Sequence, residues 1–205
     1  EKTMTDPKKK ILLITTGGTI ASVSTKDGLV PAGSEILAAE VERLRDYYDI
    51  EVCDLMRLDS SNIQPEEWVK IARCVFERRQ GLDGIVITHG TDTMAYTSSI
   101  LSFMLKNIDL PVVLTGAQLP MRNPISDAFD NLRTAFLMAA SGRAGVFVAF
   151  DRRVMLGCRA VKVRAESFDA FESVNRRYAA RVTTAGLVVD ESVLPQRQGE
   201  PMLCD

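Results

Sequence analysis

Five short runs rich in apolar and β-branched residues, at 11–15, 50–53, 84–88, 111–115 and 146–150, constrain the fold of this chain more than any other feature. Apart from Glu51 they are almost unbroken, as expected of strands buried on both faces. Stretches with helical periodicity lie between them. The alternation predicts an α/β fold: a doubly wound, mostly parallel sheet with helices on both faces. One helix should start at Pro65, with Glu66 and Glu67 at the positive end of its dipole and Trp68, Ile71, Ala72, Val75 and Phe76 along one stripe. Another should begin just after Thr91-Asp92-Thr93, carry Ala95, Ser99, Ile100, Phe103 and Met104, and end at Asn107. A further helix is predicted from about Asp127 to Ala140, after the turn-rich segment 118–124. Met94, Phe103, Met104, Phe136 and Met138 have the spacing and the apolar neighbours of core residues.

A chain of 205 residues with 46% hydrophobic content can bury one sizeable core. The formal net charge of −2 leaves no basic footprint for nucleic acid or an anionic membrane. No apolar run approaches the ~20 residues of a membrane-spanning helix, so the protein is expected to be soluble and cytoplasmic. The four cysteines, Cys53, Cys74, Cys158 and Cys204, lack metal-site spacing and read as reduced thiols, with no metal expected. Residues 1–9 read as a lead, 10–185 as one globular domain, and 186–205, with Pro195, Gly199 and Pro201, as a hairpin or linker.

Two of the strand-like runs stop in glycine and hydroxyl residues. Ile11-Leu12-Leu13-Ile14 leads into Thr15-Thr16-Gly17-Gly18-Thr19, and Gly84 to Thr88 leads into His89-Gly90-Thr91-Asp92-Thr93. In open α/β sheets the ligand crevice lies beyond the carboxyl ends of the strands, so Thr19 and Thr91 should face it, with Gly17, Gly18 and Gly90 free to aim backbone N–H groups at the same point. Taken alone, a Thr-Gly-Gly-Thr turn is more often a structural loop or a phosphate cradle than a nucleophile. A nucleotide-binding module is the rival from another class, but neither Gly-x-x-x-x-Gly-Lys-Ser/Thr nor Gly-x-Gly-x-x-Gly follows Ile14. His89 could suggest a triad, yet its place at a strand end reads as structural packing. Ser60 and Ser61 could cap the next helix, Lys162 could be an ordinary surface lysine, and Gln118 could touch a ligand or close its loop.

Thr16-Gly17-Gly18-Thr19-Ile20-Ala21 and His89-Gly90-Thr91-Asp92-Thr93-Met94 together resemble the two signature motifs of the bacterial-type L-asparaginases, closest to the cytoplasmic type I branch. Asp59-Ser60-Ser61, Leu114-Thr115-Gly116-Ala117-Gln118, and Lys162 with Phe168-Asp169-Ala170-Phe171 follow in family order, and the resemblance covers roughly residues 10–175. It implies the N-terminal domain of a two-domain amidohydrolase that needs no cofactor. Thr19 would be the nucleophile toward the side-chain amide of L-asparagine, and Thr91, Asp92 and Lys162 a second catalytic group. Asp92 would pair with the substrate ammonium, Ser60 and Ser61 would hold its carboxylate, and Gly18 would line the substrate. The N–H of Thr91, with a neighbouring one, would stabilise the oxyanion.

The same resemblance implies a smaller C-terminal domain, toward which 186–205 would lead and which this chain does not contain, and a homo-oligomer whose subunits complete one another's sites. Turnover by the chain alone is therefore open. Many relatives carry a tyrosine in the loop after the first motif where this chain has Leu29; Tyr47 and Tyr48 lie too far along, in a predicted helix end. A glutamine-hydrolysing amidotransferase subunit is the rival within the superfamily. It would be expected to carry an added N-terminal domain, against the short lead Glu1–Pro7. A non-catalytic scaffold is the third reading.

Overall fold

A computed structural model describes residues 6–25, 28–31 and 35–205; the side chains of 21–25, 28–31, 60 and 176 are left out of the description. The strands are β1 (Lys9–Gly17), β2 (Ser22–Thr25), β3 (Gly28–Pro31), β4 (Tyr48–Leu58), β5 (Gly84–Thr88), β6 (Leu105–Lys106), β7 (Pro111–Thr115), β8 (Gly145–Phe150), β9 (Arg153–Leu156), β10 (Ala160–Lys162), β11 (Phe171–Ser173), β12 (Ala180–Thr183), β13 (Gly186–Val189) and β14 (Met202–Leu203). The helices are α1 (Glu35–Leu44), α2 (Pro65–Arg78), α3 (Met94–Met104) and α4 (Ala128–Ala139).

The main sheet has eight strands in the order β13-β12-β9-β8-β7-β5-β1-β4. The five predicted runs are its parallel half, β4-β1-β5-β7-β8. The other three strands extend it antiparallel. Along β1, residues of alternating parity enter different cores: Ile11 and Leu13 pack with α1 and α4, Leu12 and Ile14 with α2 and α3. Two covered faces are the physical reason for the unbroken apolar runs. From β1 the chain crosses to β4 on one side and later to β5 on the other, so the strand order reverses at β1 and β5. A crevice opens at such a switch because the two connections leave in opposite directions.

α2 starts where expected, with Pro65 at its first position. The Gln64 N–H donates to the Glu67 carboxylate at 2.7 Å, so this pair closes the helix start and neither Ser60 nor Ser61 is its cap. α4 starts one residue after Asp127. α3 stops at Met104, before the predicted Asn107, because Leu105–Lys106 pairs with Met202–Leu203 and Asn107 takes a left-handed φ of 55°.

Met94, Phe136 and Met138 are fully buried and Met104 packs partly against the core. Phe103 departs from its expected core place, being 75% exposed. α3 buries Thr97 and Ser98 beside Met94 and Leu101 and leaves Tyr96 and Phe103 outward, so polarity along the helix does not mark its inward side. Tyr47 and Tyr48 are also not in a helix end: Tyr47 lies in the turn after α1 and Tyr48 opens β4 opposite Lys9, at the far end of the sheet from the glycine turns. The hairpin of β12 and β13 runs across residue 185, and the segment after it returns along the molecule to pair β14 with β6. No helix among the described residues is long and apolar enough to cross a membrane.

Candidate active site

The ends of β1, β5 and β7 meet at the switch. The Thr16 hydroxyl donates to the Thr88 carbonyl at 2.7 Å, and the His89 N–H donates to the Thr115 carbonyl at 2.8 Å, so the three turns are tied to one another below the crevice. Above these bonds the backbones touch. A Cβ placed on Gly18, whose φ is +92°, would lie 2.6 Å from the Gly90 nitrogen. One on Gly116 would lie 2.3 Å from the His89 carbonyl oxygen. Glycine is required where backbones approach so closely, and Gly18 also needs a left-handed conformation. Thr19 and Thr91 each follow one residue after the Gly18 and Gly90 contact.

Thr19 opens a single 3-10 turn, Thr19–Ala21, and is half-buried; the fully buried Ile20 anchors that turn in the core under α1 and α4. Thr91 is buried and Asp92 is 66% exposed at its side chain. Lys162, at the end of β10, reaches both. Its ammonium donates to Thr91 Oγ1 at 3.1 Å and to Asp92 Oδ1 at 3.0 Å. β10 is held by β11, where Lys162 pairs with Phe171, and the buried Ala170 and Phe171 fix that hairpin on the core. Lys162 is therefore no free surface lysine.

Gln118 is the residue for which the sequence supplied no decision. Its amide Nε2 donates to the carbonyls of Ala165 and Ser167, both at 3.0 Å. A carbonyl can only accept, so the amide oxygen must face the other way, and it accepts from the Thr91 hydroxyl at 3.1 Å. Thr91 thus gives its hydrogen to Gln118 and takes one from Lys162. Asp127, just ahead of α4, accepts from the Gln118 N–H at 3.0 Å and from the Leu119 N–H at 3.1 Å. Asn131 links the same loop to the next strand: it donates to the Gly116 carbonyl at 2.9 Å and accepts from the Asp151 N–H at 2.9 Å. Asp127 and Asn131 were not among the predicted site residues, because contacts between separated segments leave no local signal.

Ser60 and Ser61 belong to a short 3-10 turn, Ser60–Asn62, that follows β4 on the neighbouring side of β1. The Ser61 N–H donates to Asp59 Oδ1 at 3.1 Å and Ser61 is exposed, while the side chain of Ser60 lies outside the described residues. Leu29 is in β3, which pairs with β2 after the first motif; its side chain is also outside the description. Beneath the turns, His89 is 2% exposed. Its Nδ1 lies 2.7 Å from the Gly90 carbonyl and its Nε2 2.9 Å from Thr97 Oγ1, which also accepts from the Trp68 indole N–H at 2.8 Å. Burial holds its pKa below the ordinary imidazole value, partly offset by the bond to Gly90. Among the described residues no group of acidic, histidine or cysteine side chains is placed to hold a metal ion.

Fold and site define a class: an open α/β protein in which two glycine turns meet at the strand-order switch, each followed by a threonine, with a lysine bridging one of these to a carboxylate. Residues 10–194 match the family model described as the N-terminal region of asparaginase, and the chain belongs to the asparaginase family. It is 52% identical over 168 residues to an L-asparaginase of Thermococcus kodakarensis, covering 81% of this chain and 51% of that protein. It is 37% identical over 204 residues to a glutamyl-tRNA(Gln) amidotransferase subunit of Methanosphaera stadtmanae, covering 94% of this chain and 46% of the relative. The solved structure of the thermostable L-asparaginase from T. kodakarensis superposes with a TM-score of 0.86 at 47% identity, covering 95% of this chain and 60% of that one. The chain spans about half the length of the curated relatives it matches.

Proposed function

We propose that this protein hydrolyses the side-chain amide of L-asparagine to aspartate and ammonia through an acyl-threonine. The observation that carries the reading is the meeting of the two glycine turns, Gly18 against Gly90, with Lys162 bridging Thr91 and Asp92 beside them. Thr19 Oγ1 attacks the amide carbon, and the C–N bond breaks as ammonia leaves with a proton. Water then cleaves the ester to release aspartate and restore the hydroxyl. The N–H of Thr91 and a neighbouring N–H take up the oxyanion, a role worth about 3 kcal/mol per donor. Asp92, with its exposed carboxylate, pairs with the substrate ammonium, while Ser60, Ser61 and Gly18 border the α-carboxylate end. Lys162 donates to Thr91 Oγ1 and holds that hydroxyl in place, so that its oxygen lies fixed beside the water that cleaves the ester, whose proton passes to Thr19 Oγ1 as the ester opens.

We place the catalytic domain at 10–185 and the connection toward a second domain at 186–205, and we take the whole protein to be a cytoplasmic homo-oligomer. The similarity to amidotransferase subunits keeps glutamine as the competing substrate. Ammonia release from asparagine and from glutamine separates the two. Asparagine should be favoured, with loss of turnover in Thr19→Ala and a fall of about 10²-fold or more in kcat for Lys162→Met. A strong preference for glutamine would replace the proposed substrate, and full activity of Thr19→Ala would end the acyl-threonine reading.

A further inference from the structure

His89 sits directly under Gly90 and next to the second motif, yet nothing in the proposed reaction uses it. Its hydrogen bonds have a fixed direction. The Gly90 carbonyl can only accept, so Nδ1 carries the hydrogen. A buried imidazole is neutral, so Nε2 must accept, and it does so from the Thr97 hydroxyl. Thr97 can supply that hydrogen because its oxygen is already accepting from the Trp68 indole, which can only donate. The relay therefore runs one way, from α2 through α3 to the turn after β5, and selects one tautomer of His89.

What the relay holds is a peptide plane. The described residues contain no cis peptide, and in a trans peptide the C=O and the next N–H point in opposite directions. With the Gly90 oxygen drawn inward to His89, the Thr91 N–H of the same plane is turned away from the interior. Glycine is the residue whose flanking peptides flip most readily, so the bond to His89 decides between the two orientations. The Gly18 backbone packed against Gly90 leaves that plane little room to rotate.

We infer that His89, locked by Thr97 and Trp68, is a positioning residue that aims the Thr91 N–H into the crevice where the oxyanion of the amide hydrolysis develops. The inference rests on the amidohydrolase reading for what the N–H meets, but not for where it points. It makes the buried face of α2 and α3 part of the catalytic apparatus, with no contact to substrate.

The chain has one histidine and one tryptophan, so both ends of the relay give single, assignable resonances. Long-range nitrogen–proton correlation spectra of the 205-residue chain should show His89 as the neutral Nδ1–H tautomer from about pH 5.5 to about pH 8. An Nε2–H tautomer, or titration at an ordinary midpoint, would overturn the lock. Thr97→Val should lower kcat by about 10²-fold, the scale of a lost oxyanion donor, with KM and aspartate affinity within about twofold and near-full recovery in Thr97→Ser. Trp68→Phe removes the indole donor alone and serves if Thr97→Val does not fold. Wild-type kcat in these variants, or equal loss of kcat and aspartate binding, would reduce the relay to ordinary packing. If the unsubstituted protein, second domain included, releases no ammonia, the amidohydrolase reading fails instead. The Thr91 amide resonance then decides the aim: aspartate should shift it in the parent and not in Thr97→Val, and an equal shift in both overturns the inference.

Discussion

Gly18→Ala tests the junction of the two motifs most directly. The new Cβ would meet the Gly90 nitrogen at 2.6 Å and its Cα at 2.7 Å, and both are backbone atoms that cannot swing aside. A left-handed φ of +92° adds strain of about 1–3 kcal/mol for a residue with a side chain. Forcing the two turns apart adds overpacking of about 1–3 kcal/mol. At about 2–4 °C per kcal/mol for a chain of this size, the melting temperature should fall by roughly 4–24 °C. Separation of the turns by several tenths of an ångström also moves Thr19 away from Thr91, and a misplacement of about 1 Å costs on the order of 10²-fold in rate. Gly81→Ala is the matched control: its φ is +78°, but a Cβ there meets nothing within 4 Å, so it carries strain without contact. Calorimetry and ammonia release on both variants isolate the contact contribution. Equal melting temperatures for the two, with kcat unchanged in Gly18→Ala, would show that the turns do not act through each other.

Gln118→Leu removes the acceptor of the Thr91 hydroxyl and the clamp on Ala165 and Ser167; kcat for asparagine should fall about 10-fold or more, and an unchanged kcat would remove Gln118 from the site. His89 is held neutral by burial, so the unfolded chain binds its proton first as pH falls. Its share of stability is complete above the unfolded pKa of about 6.5 and is lost as pH drops through the window below it, with a slope of at most about 1.4 kcal/mol per pH unit. Urea unfolding between about pH 7.5 and pH 5 should show that slope, and His89→Gln should flatten it. Cys158 and Cys204 are exposed, whereas Cys74 is half-buried with its thiol pushed up to about 11, by burial first and by the neighbouring Cys53 next. A thiol-specific disulfide reagent at about pH 8 should therefore label Cys158 and Cys204 rapidly and Cys74 slowly, as peptide mapping would show; fast labelling of Cys74 would contradict the burial.

The parallel half of the sheet was legible because burial on both faces writes itself as continuous apolar sequence, as in Ile11 to Ile14 and Ile85 to Ile87. The antiparallel half was not. β9 and β12 are four-residue strands that carry Arg153 and Arg181, and neither periodicity nor apolar content separates such segments from loops. Phe103 failed for a different reason: the inward side of α3 holds Thr97 and Ser98, whose hydroxyls are hydrogen-bonded, while Tyr96 and Phe103 face outward. In the candidate site, local motifs place Thr19, Thr91 and Asp92 just beyond the ends of β1 and β5, where the structure has them. Lys162 came only from family order, and its bonds to Thr91 and Asp92 span about seventy residues. The direction of the Gln118 amide could not be foreseen at all, because two carbonyls from the segment after Lys162 impose it.

The arrangement separates two demands that an amide-cleaving site must meet together. Groups proposed to share in bond breaking need positions fixed within a fraction of an ångström, and here Thr91 is buried and held from two sides, while the turn of Thr19 is pinned by the fully buried Ile20. Groups proposed to recognise a zwitterion must exchange water for ligand, and Asp92 and Ser61 are accordingly exposed. Lys162 belongs to both sets: its side chain is 18% exposed and it bonds one member of each. A ligand ammonium arriving at Asp92 competes with Lys162 for the same carboxylate, which weakens the Lys162 to Asp92 bond and leaves the lysine to Thr91. Occupation of Asp92 would then strengthen the polarisation of the Thr91 hydroxyl through a single side chain, with no movement of the sheet.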